Sequence, residues 1–567
     1  MPNYGRSGRC LTCKRRRVKC DEARPACSQC RGFGVDCEGY FKEYAFRDES
    51  HKFTPAAPLK VSKVQGAPVQ RSGEVGDPSR SLLTEADVAV PFFLVHYVVM
   101  GRSLAVTRGF YEVLMPISSS QPHDSPLSLA VAAVAARVFC LWRHGDGVRM
   151  KAHLEPYTKA VASLRSALSR PEDRRRPAIA LAVLALHLYE SISAVYDARC
   201  PTPVHHQGAL SLLPIMALDS PDGDFSTYVK GFVLHSEISS ALRQNRSIHP
   251  SVYSYVNSEH TSFLVPGNLS STLDSIGASV AELQADYVRR VSPHERHASG
   301  PLLRHQCSVW ITKATQIDEL LRDWARDVPD HWRPVRLTGG KDFSNSIAAY
   351  QSACDIYPSC QIATLWNLWR FHRLLLLKIT IVATQIIFSD SPRGGHAGNE
   401  RLVTTTMKSA TQVSSIQELV DSICHSVPFY LGNRTKPSSL SDFTDLQIQF
   451  PSYHLIAPDD ARITGGQFQH RHSLPLSVDE HHRHMVAYGA WHIVSPLSNL
   501  LTLFSDDHGG QLLGGLLRTG QQDWIREQFL RVCTLVRLPM DLKSADGPAA
   551  ESLAKQVRRG AIFMSGP

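Results

Sequence analysis

Six of the chain's 13 cysteines fall in its first forty residues, as Cys10-x2-Cys13-x6-Cys20 followed by Cys27-x2-Cys30-x6-Cys37. Each cysteine of the second set lies seventeen residues after its counterpart, so the segment is an internal repeat. Six thiolates make a soft donor set, for which zinc is the ordinary ion of a closed, all-sulfur structural site. Two four-coordinate ions need eight ligand positions, and six sulfurs fill them only if two sulfurs each bridge both ions. The repeat requires the bridging pair to be equivalent residues, which leaves Cys10/Cys27, Cys13/Cys30 and Cys20/Cys37 as candidates. Six thiolates around two divalent ions carry a formal charge of −2. The run Lys14-Arg15-Arg16-Arg17-Val18-Lys19 between Cys13 and Cys20 offsets that charge. The matching stretch, Arg31-Gly32-Phe33-Gly34-Val35-Asp36, has no such excess, so one half of the repeat is suited to meeting a polyanion.

Spacing, basic run, Asp21 after the third cysteine and Pro25 two before the fourth together resemble the fungal zinc binuclear cluster family of transcription factors. The resemblance implies two zinc ions bridged by Cys10 and Cys27. Cys13 and Cys20 would complete one site, and Cys30 and Cys37 the other. It also implies two short helices related by a pseudo-twofold axis, the first lying in the major groove of double-stranded DNA over a CGG-like triplet. The side chains suit that placement. A guanidinium presents paired donors to guanine O6 and N7, so Arg16 and Arg17 are the candidate base readers. Lys14, Arg15 and Lys19 are assigned to phosphates, which position a module without specifying sequence.

Other uses of the cysteines carry less. A disulfide framework is disfavoured because the N-terminal residues lack the apolar core of a signal peptide and the other seven cysteines are scattered. A zinc module that binds protein or RNA is the remaining alternative.

The elements that hold this module follow from composition. Residues 1–40 hold nine Lys/Arg against four Asp/Glu, a net +5 of the chain's +9, so polyanion affinity is local. With 567 residues and 43% hydrophobic content, a second unit with a large core must follow. The expected organisation is a zinc cluster DNA-binding domain over 1–45, a flexible linker over 46–88, a helical regulatory domain over 89–545 and a tail over 546–567. Pro55, Pro58, Pro68, Pro78, Gly66, Gly73 and Gly76 exclude a coiled coil from the linker, so any homodimer must form through the helical domain.

Beyond Pro91 the pattern is helical. Tyr157, Val161, Leu164 and Leu168 share one helix face, and further helices are expected over Leu127–Trp142, Ala178–Tyr196, Val280–Val291, Ser308–Arg326, Ser346–Phe388, Thr406–Ser426, Met485–Phe504 and Asp523–Val536. The fold class is therefore mostly α. The apolar runs Val90–Gly101, Ala178–Leu188 and Ile379–Phe388 are too short to cross a bilayer, so no membrane is expected. The body also resembles, in loose matches at His205–Leu210, Trp366–Arg370, Ser426–Gly432, Gly489–Trp491 and Gln521–Ile525, the regulatory domain found behind such zinc clusters. Trp366 and its neighbours read as the aromatic core of a buried helix in preference to an inducer-binding box. The histidines at 470, 472, 481, 482 and 484 read as a polar loop, with metal binding as the rival. The acidic and aromatic segment from Asp442 to Phe450 reads either as packed structure or as a contact for coactivators of the transcription machinery.

Phosphate-binding loops, zinc-protease motifs and nucleophile elbows do not occur, so an enzyme is not expected. The expected function is a nuclear, sequence-specific transcription regulator, with a pathway or metabolic gene cluster as the expected target and an unknown small-molecule effector. Its rival is a helical ligand-sensing or scaffolding protein whose zinc module binds protein.

Overall fold

The structure is a computed structural model that describes residues 9–23, 26–37, 85–99, 106, 110–143, 153–197, 199, 202–216, 223–256, 267–291, 301–389, 397–457, 460, 462, 476–540 and 547–560. The chain divides into two compact units, Met1–Gly76 and Asp77–Pro567. Most of the stretch expected as a linker lies outside the described residues, and the coiled-coil question with it.

The first unit holds α1 (Leu11–Arg15) and α2 (Ser28–Gly32). Each is too short to stand alone. Each starts on a cysteine whose sulfur caps it: Cys13 N donates to Cys10 Sγ at 3.3 Å, and Cys30 N donates to Cys27 Sγ at 3.4 Å.

The second unit runs through α3 (Glu85–Phe93), α4 (Phe110–Ser118), α5 (Pro126–Trp142), α6 (Leu154–Leu168), α7 (Pro177–Tyr196), α8 (Val204–Leu212), α9 (Gly223–Gln244), α10 (Pro250–Val256), α11 (Leu269–Val291) and α12 (Pro301–Asp327). After a hairpin of β1 (Val335–Thr338) and β2 (Ala353–Ile356) come α13 (Cys360–Ser389), α14 (Ala397–Leu431), α15 (Val478–His484), α16 (Ala490–Ser505), α17 (Gly510–Gly514), α18 (Gln521–Leu535) and α19 (Gly547–Gly560). Local chemistry sets several starts. Ser125 Oγ accepts from Ser128 N at 3.2 Å ahead of Pro126, whose missing N–H costs nothing in a first turn. Ser477 and Glu480 form a reciprocal capping box at α15.

Apolar residues surround α7 on nearly every side, as suits a helix at the centre of a core. By length and composition α7 and Cys360–Phe388 could each cross a membrane, longer than the sequence runs suggested. Less than half of the second of these stretches is buried in the body. α7 is almost wholly buried, and α13 places Arg370 on Tyr357 Oη at 2.9 Å and ties Lys378 to Asp506. Glu237 of α9, fully buried, accepts from Arg246 at 2.6 and 2.9 Å and lies 2.7 Å from His206 Nε2, so the His205–Leu210 stretch is tied to a structural hub. Gly489 lies so close to the Tyr430 carbonyl that a Cβ would collide, which joins two of the stretches singled out in the sequence.

Two expectations need correction. Ser346–Phe388 is not one helix: β1 and β2 pair antiparallel with Val335 opposite Ile356, and Gln351 and Ser352 take φ of 50° and 55° before β2. Pro358 disfavours helix at the residue before it, and α13 begins only at Cys360, with Ile362 N on Ser359 Oγ at 3.3 Å. The segment expected as a tail carries α19, which buries Ala550, Ala554 and Val557 and places Gln556 Nε2 3.3 Å from the Val195 carbonyl. It is part of the helical body.

Candidate metal centre and nucleic-acid face

All six N-terminal cysteines are free thiols that converge. Cys10, Cys13, Cys27 and Cys30 are fully buried, and their sulfurs lie 3.6 Å (Cys13–Cys27), 3.7 Å (Cys10–Cys27), 3.8 Å (Cys10–Cys30) and 3.9 Å (Cys13–Cys30) apart. Tetrahedral coordination with Zn–S bonds of about 2.3 Å puts ligand sulfurs about 3.8 Å apart. The sulfurs form two sets of four, Cys10/Cys13/Cys20/Cys27 and Cys10/Cys27/Cys30/Cys37, each with all members within 4.8 Å. Cys10 and Cys27 are common to both. Burial pushes the Cys10 and Cys13 thiols up, and the Cys30 thiol to about 12, so thiolates here call for a soft cation among them. Donor type, number and spacing all fit two zinc ions.

The basic run surrounds the end of α1. Lys14, Arg15, Arg16, Arg17 and Lys19 are all exposed, while Val18 packs on the sulfurs. Both helices end alike. Arg17 N and Val18 N donate to the Lys14 and Cys13 carbonyls at 3.3 and 3.1 Å, and Gly34 N and Val35 N donate to Arg31 and Cys30 at 3.2 and 3.1 Å. The closing residue is left-handed each time, with φ of 57° at Arg17 and 62° at Gly34. Glycine takes that conformation without steric cost, whereas an L-side chain gives up roughly 1–2 kcal/mol. The first half therefore holds an arginine where its own fold favours glycine.

Three further residues shape this face, of which only Asp21 was singled out from sequence. Phe33, the repeat counterpart of Arg16, lies with its ring centroid 4.6 Å from the Arg16 guanidinium. Thr12 Oγ1 donates to the Asp36 carbonyl at 3.0 Å, joining the two halves. Asp21 accepts from Ser28 N at 3.0 and 3.2 Å, and the Ser28 hydrogen bonds lower its pKa. In the matched copies Phe33 stands opposite Arg16, and that pairing is the sequence signal for the contact.

Other candidates do not assemble into sites. His481, His482 and His484 lie on helix α15, not in a polar loop, with His481 and His484 buried. The Ser477–Glu480 capping box is the cause, and no three of these histidines converge on a metal-sized site among the described residues. His470 and His472 lie outside the described residues. In the acidic–aromatic segment Phe443 packs against Trp142 and His96, with centroids 4.9 and 4.2 Å away, Asp442 pairs with Arg434 at 3.1 Å, and Phe450 is buried. Between these anchors Asp445, Leu446 and Gln447 are exposed.

Residues 9–43 match the fungal Zn(2)-Cys(6) binuclear cluster domain, and the N-terminal module belongs to that family of domains. Its cofactor is two zinc ions. Among curated proteins the chain is similar to an uncharacterized transcriptional regulatory protein of Schizosaccharomyces pombe, 39% identical over 70 residues, 12% of each chain. It is also similar to the transcriptional regulatory protein moc3 of that yeast, 58% identical over 31 residues, 6% of each chain. A third relative is the aspercryptin biosynthesis cluster-specific transcription regulator of Emericella nidulans, 35% identical over 98 residues, 16% of each chain. These alignments therefore span no more than about a sixth of either protein. No solved structure matches.

Proposed function

We propose that this chain is a nuclear, DNA-binding transcription factor whose zinc module reads CGG-like triplets in the major groove. The observation that carries the reading is the exposed side chains of Lys14, Arg15, Arg16, Arg17 and Lys19, fixed beside a six-sulfur centre of which Cys10, Cys13, Cys27 and Cys30 are buried. In this reading Cys10 and Cys27 bridge the two ions, Cys13 and Cys20 complete one site, and Cys30 and Cys37 complete the other. Arg16 and Arg17 meet guanine edges, while Lys14, Arg15 and Lys19 meet phosphates. The match to the zinc cluster domain and the similarity to named transcription regulators support the class. The large helical unit has the regulatory role, a homodimer forms through it if one forms, and the protein catalyses no reaction. Control of a biosynthetic gene cluster is supported only by the similarity to the Emericella nidulans regulator.

The test is selection from randomised duplexes with the full-length, zinc-loaded protein. Enrichment of a G-rich triplet is expected. A pool with no base preference would turn the reading toward a module that binds protein.

A further inference from the structure

In the helical body, α9, α13, α14 and α16 surround a cavity of about 80 Å³. That volume is room for about six water-sized positions. Its apolar wall is Leu242, Leu368, Phe371, Ile423 and Pro496. α13 supplies Thr364, Asn367, Leu368 and Phe371, spaced three, four and seven residues apart and therefore on one helix face. The tryptophans of the same helix point elsewhere: Trp366 Nε1 donates to the Trp332 carbonyl at 2.8 Å and Trp369 Nε1 to the Leu321 carbonyl at 2.7 Å.

The polar lining is unbalanced. Arg243 of α9 lines the cavity with Nε and Nη2 shut from solvent, and neither donates to any group. Across from it on α16, Asn499 Oδ1 is likewise buried and accepts from nothing. Arg243 makes no ion pair among the described residues. A neighbouring cation, Arg558, is half-buried, donates to the Leu242 carbonyl at 3.2 Å and to Thr502 Oγ1 at 3.3 Å, and feels Asp506, which Lys378 already occupies. Burial, with Arg558 close by, pushes Arg243 down to about 9 and leaves it charged at neutral pH. Two N–H groups of a cation shut from water without a counter-charge are costly, and two adjacent N–H donors of one guanidinium match the two oxygens of a carboxylate.

We propose that this cavity is a ligand site for a short organic carboxylate, its carboxylate on Arg243 Nε and Nη2, its apolar part on the Leu368–Phe371 wall, and a hydroxyl or amino donor on Asn499 Oδ1. About six non-hydrogen atoms fill the space, the size of a three-carbon 2-hydroxy or 2-amino acid. The proposal goes beyond the DNA-binding reading and does not depend on it.

The experiment is thermal unfolding of the full-length protein with lactate, alanine, the uncharged lactamide, and inorganic phosphate. At a hundredfold excess over its Kd a bound acid should raise the midpoint of the helical unit by about 3 °C. Lactate or alanine should produce that shift, and lactamide and phosphate should not. Arg243→Met, which removes an uncompensated cation, should unfold no earlier than the parent without ligand and lose the response. If that variant does not fold, Asn499→Leu should reduce the response to lactate at least tenfold in apparent affinity. No shift with either acid, an equal shift with phosphate or lactamide, or an undiminished response in a folded Arg243→Met or Asn499→Leu protein would each overturn the proposal.

Discussion

The two halves of the cysteine repeat share a backbone and differ in nearly everything the backbone displays. Both open on a capping cysteine, both close on a left-handed residue with paired hydrogen bonds, and both supply sulfurs to the centre. The first half then presents Lys14, Arg15, Arg16, Arg17 and Lys19, whereas the second presents Arg31, Phe33 and Asp36. At the left-handed position the second half has Gly34, the residue the conformation favours, and the first has Arg17. The scaffold is held in common while the dense basic chemistry is confined to one copy.

The sulfurs give the largest expected effect. Cys10→Ser or Cys27→Ser, each touching both sets of four, should reduce bound zinc from two equivalents to none, as elemental analysis of full-length protein would read. Cys13→Ser or Cys30→Ser, confined to one set, should leave about one. Equal losses from all four would mean that the halves do not share sulfurs as proposed. Structural zinc contributes on the order of 10 kcal/mol to such small modules, so the first two variants should also expose residues 9–37 to protease.

Next come the base readers. Arg16→Ala or Arg17→Ala should each relax preference at one G·C pair by roughly 1–3 kcal/mol, while Arg31→Ala in the second half should not. A competition assay with single-base variants of the selected duplex separates these outcomes. Smaller still is the exchange at the left-handed position. Arg17→Gly should stabilise the module by about 1 kcal/mol while abolishing its share of base discrimination, and Gly34→Ala should cost about the same. Chelator titration reads both. The smallest effect belongs to the phosphate contacts: Lys14→Ala or Lys19→Ala should weaken all duplexes alike and lower the salt slope by about one unit, with no change in preference.

The module was legible in the sequence because metal ligation depends on residue type and spacing, and both are written locally. Six cysteines at a repeated spacing leave few ways to fill two tetrahedra. The helical body was legible wherever periodicity ran long, as in α5, α7 and α18. It was lost where a short element overrode the pattern. Each strand of the hairpin has only four residues, alternating in β1 but not in β2, and Pro358 is the punctuation that marks the true start of α13. The histidines of α15 read as a loop because Gly465, Gly466 and Pro475 precede them, and that pattern outweighs the helix-start signal of Ser477 and Glu480 three residues apart. The cavity could not have been read at all. Arg243, Phe371 and Asn499 are brought together only by the packing of α9, α13 and α16, and no local pattern connects them.

Arg16 resting on Phe33 ties the fates of the two copies together. The arginine leans on the residue that occupies its own place in the other half, so its reach toward a base is partly set by a side chain that carries no charge. A duplicated module of this kind cannot let its second copy drift as a passive remnant. With Arg16 as the proposed base reader, a change at position 33 would alter how the protein ranks its target sites without replacing any residue assigned to DNA, and selection for new targets has that route open to it.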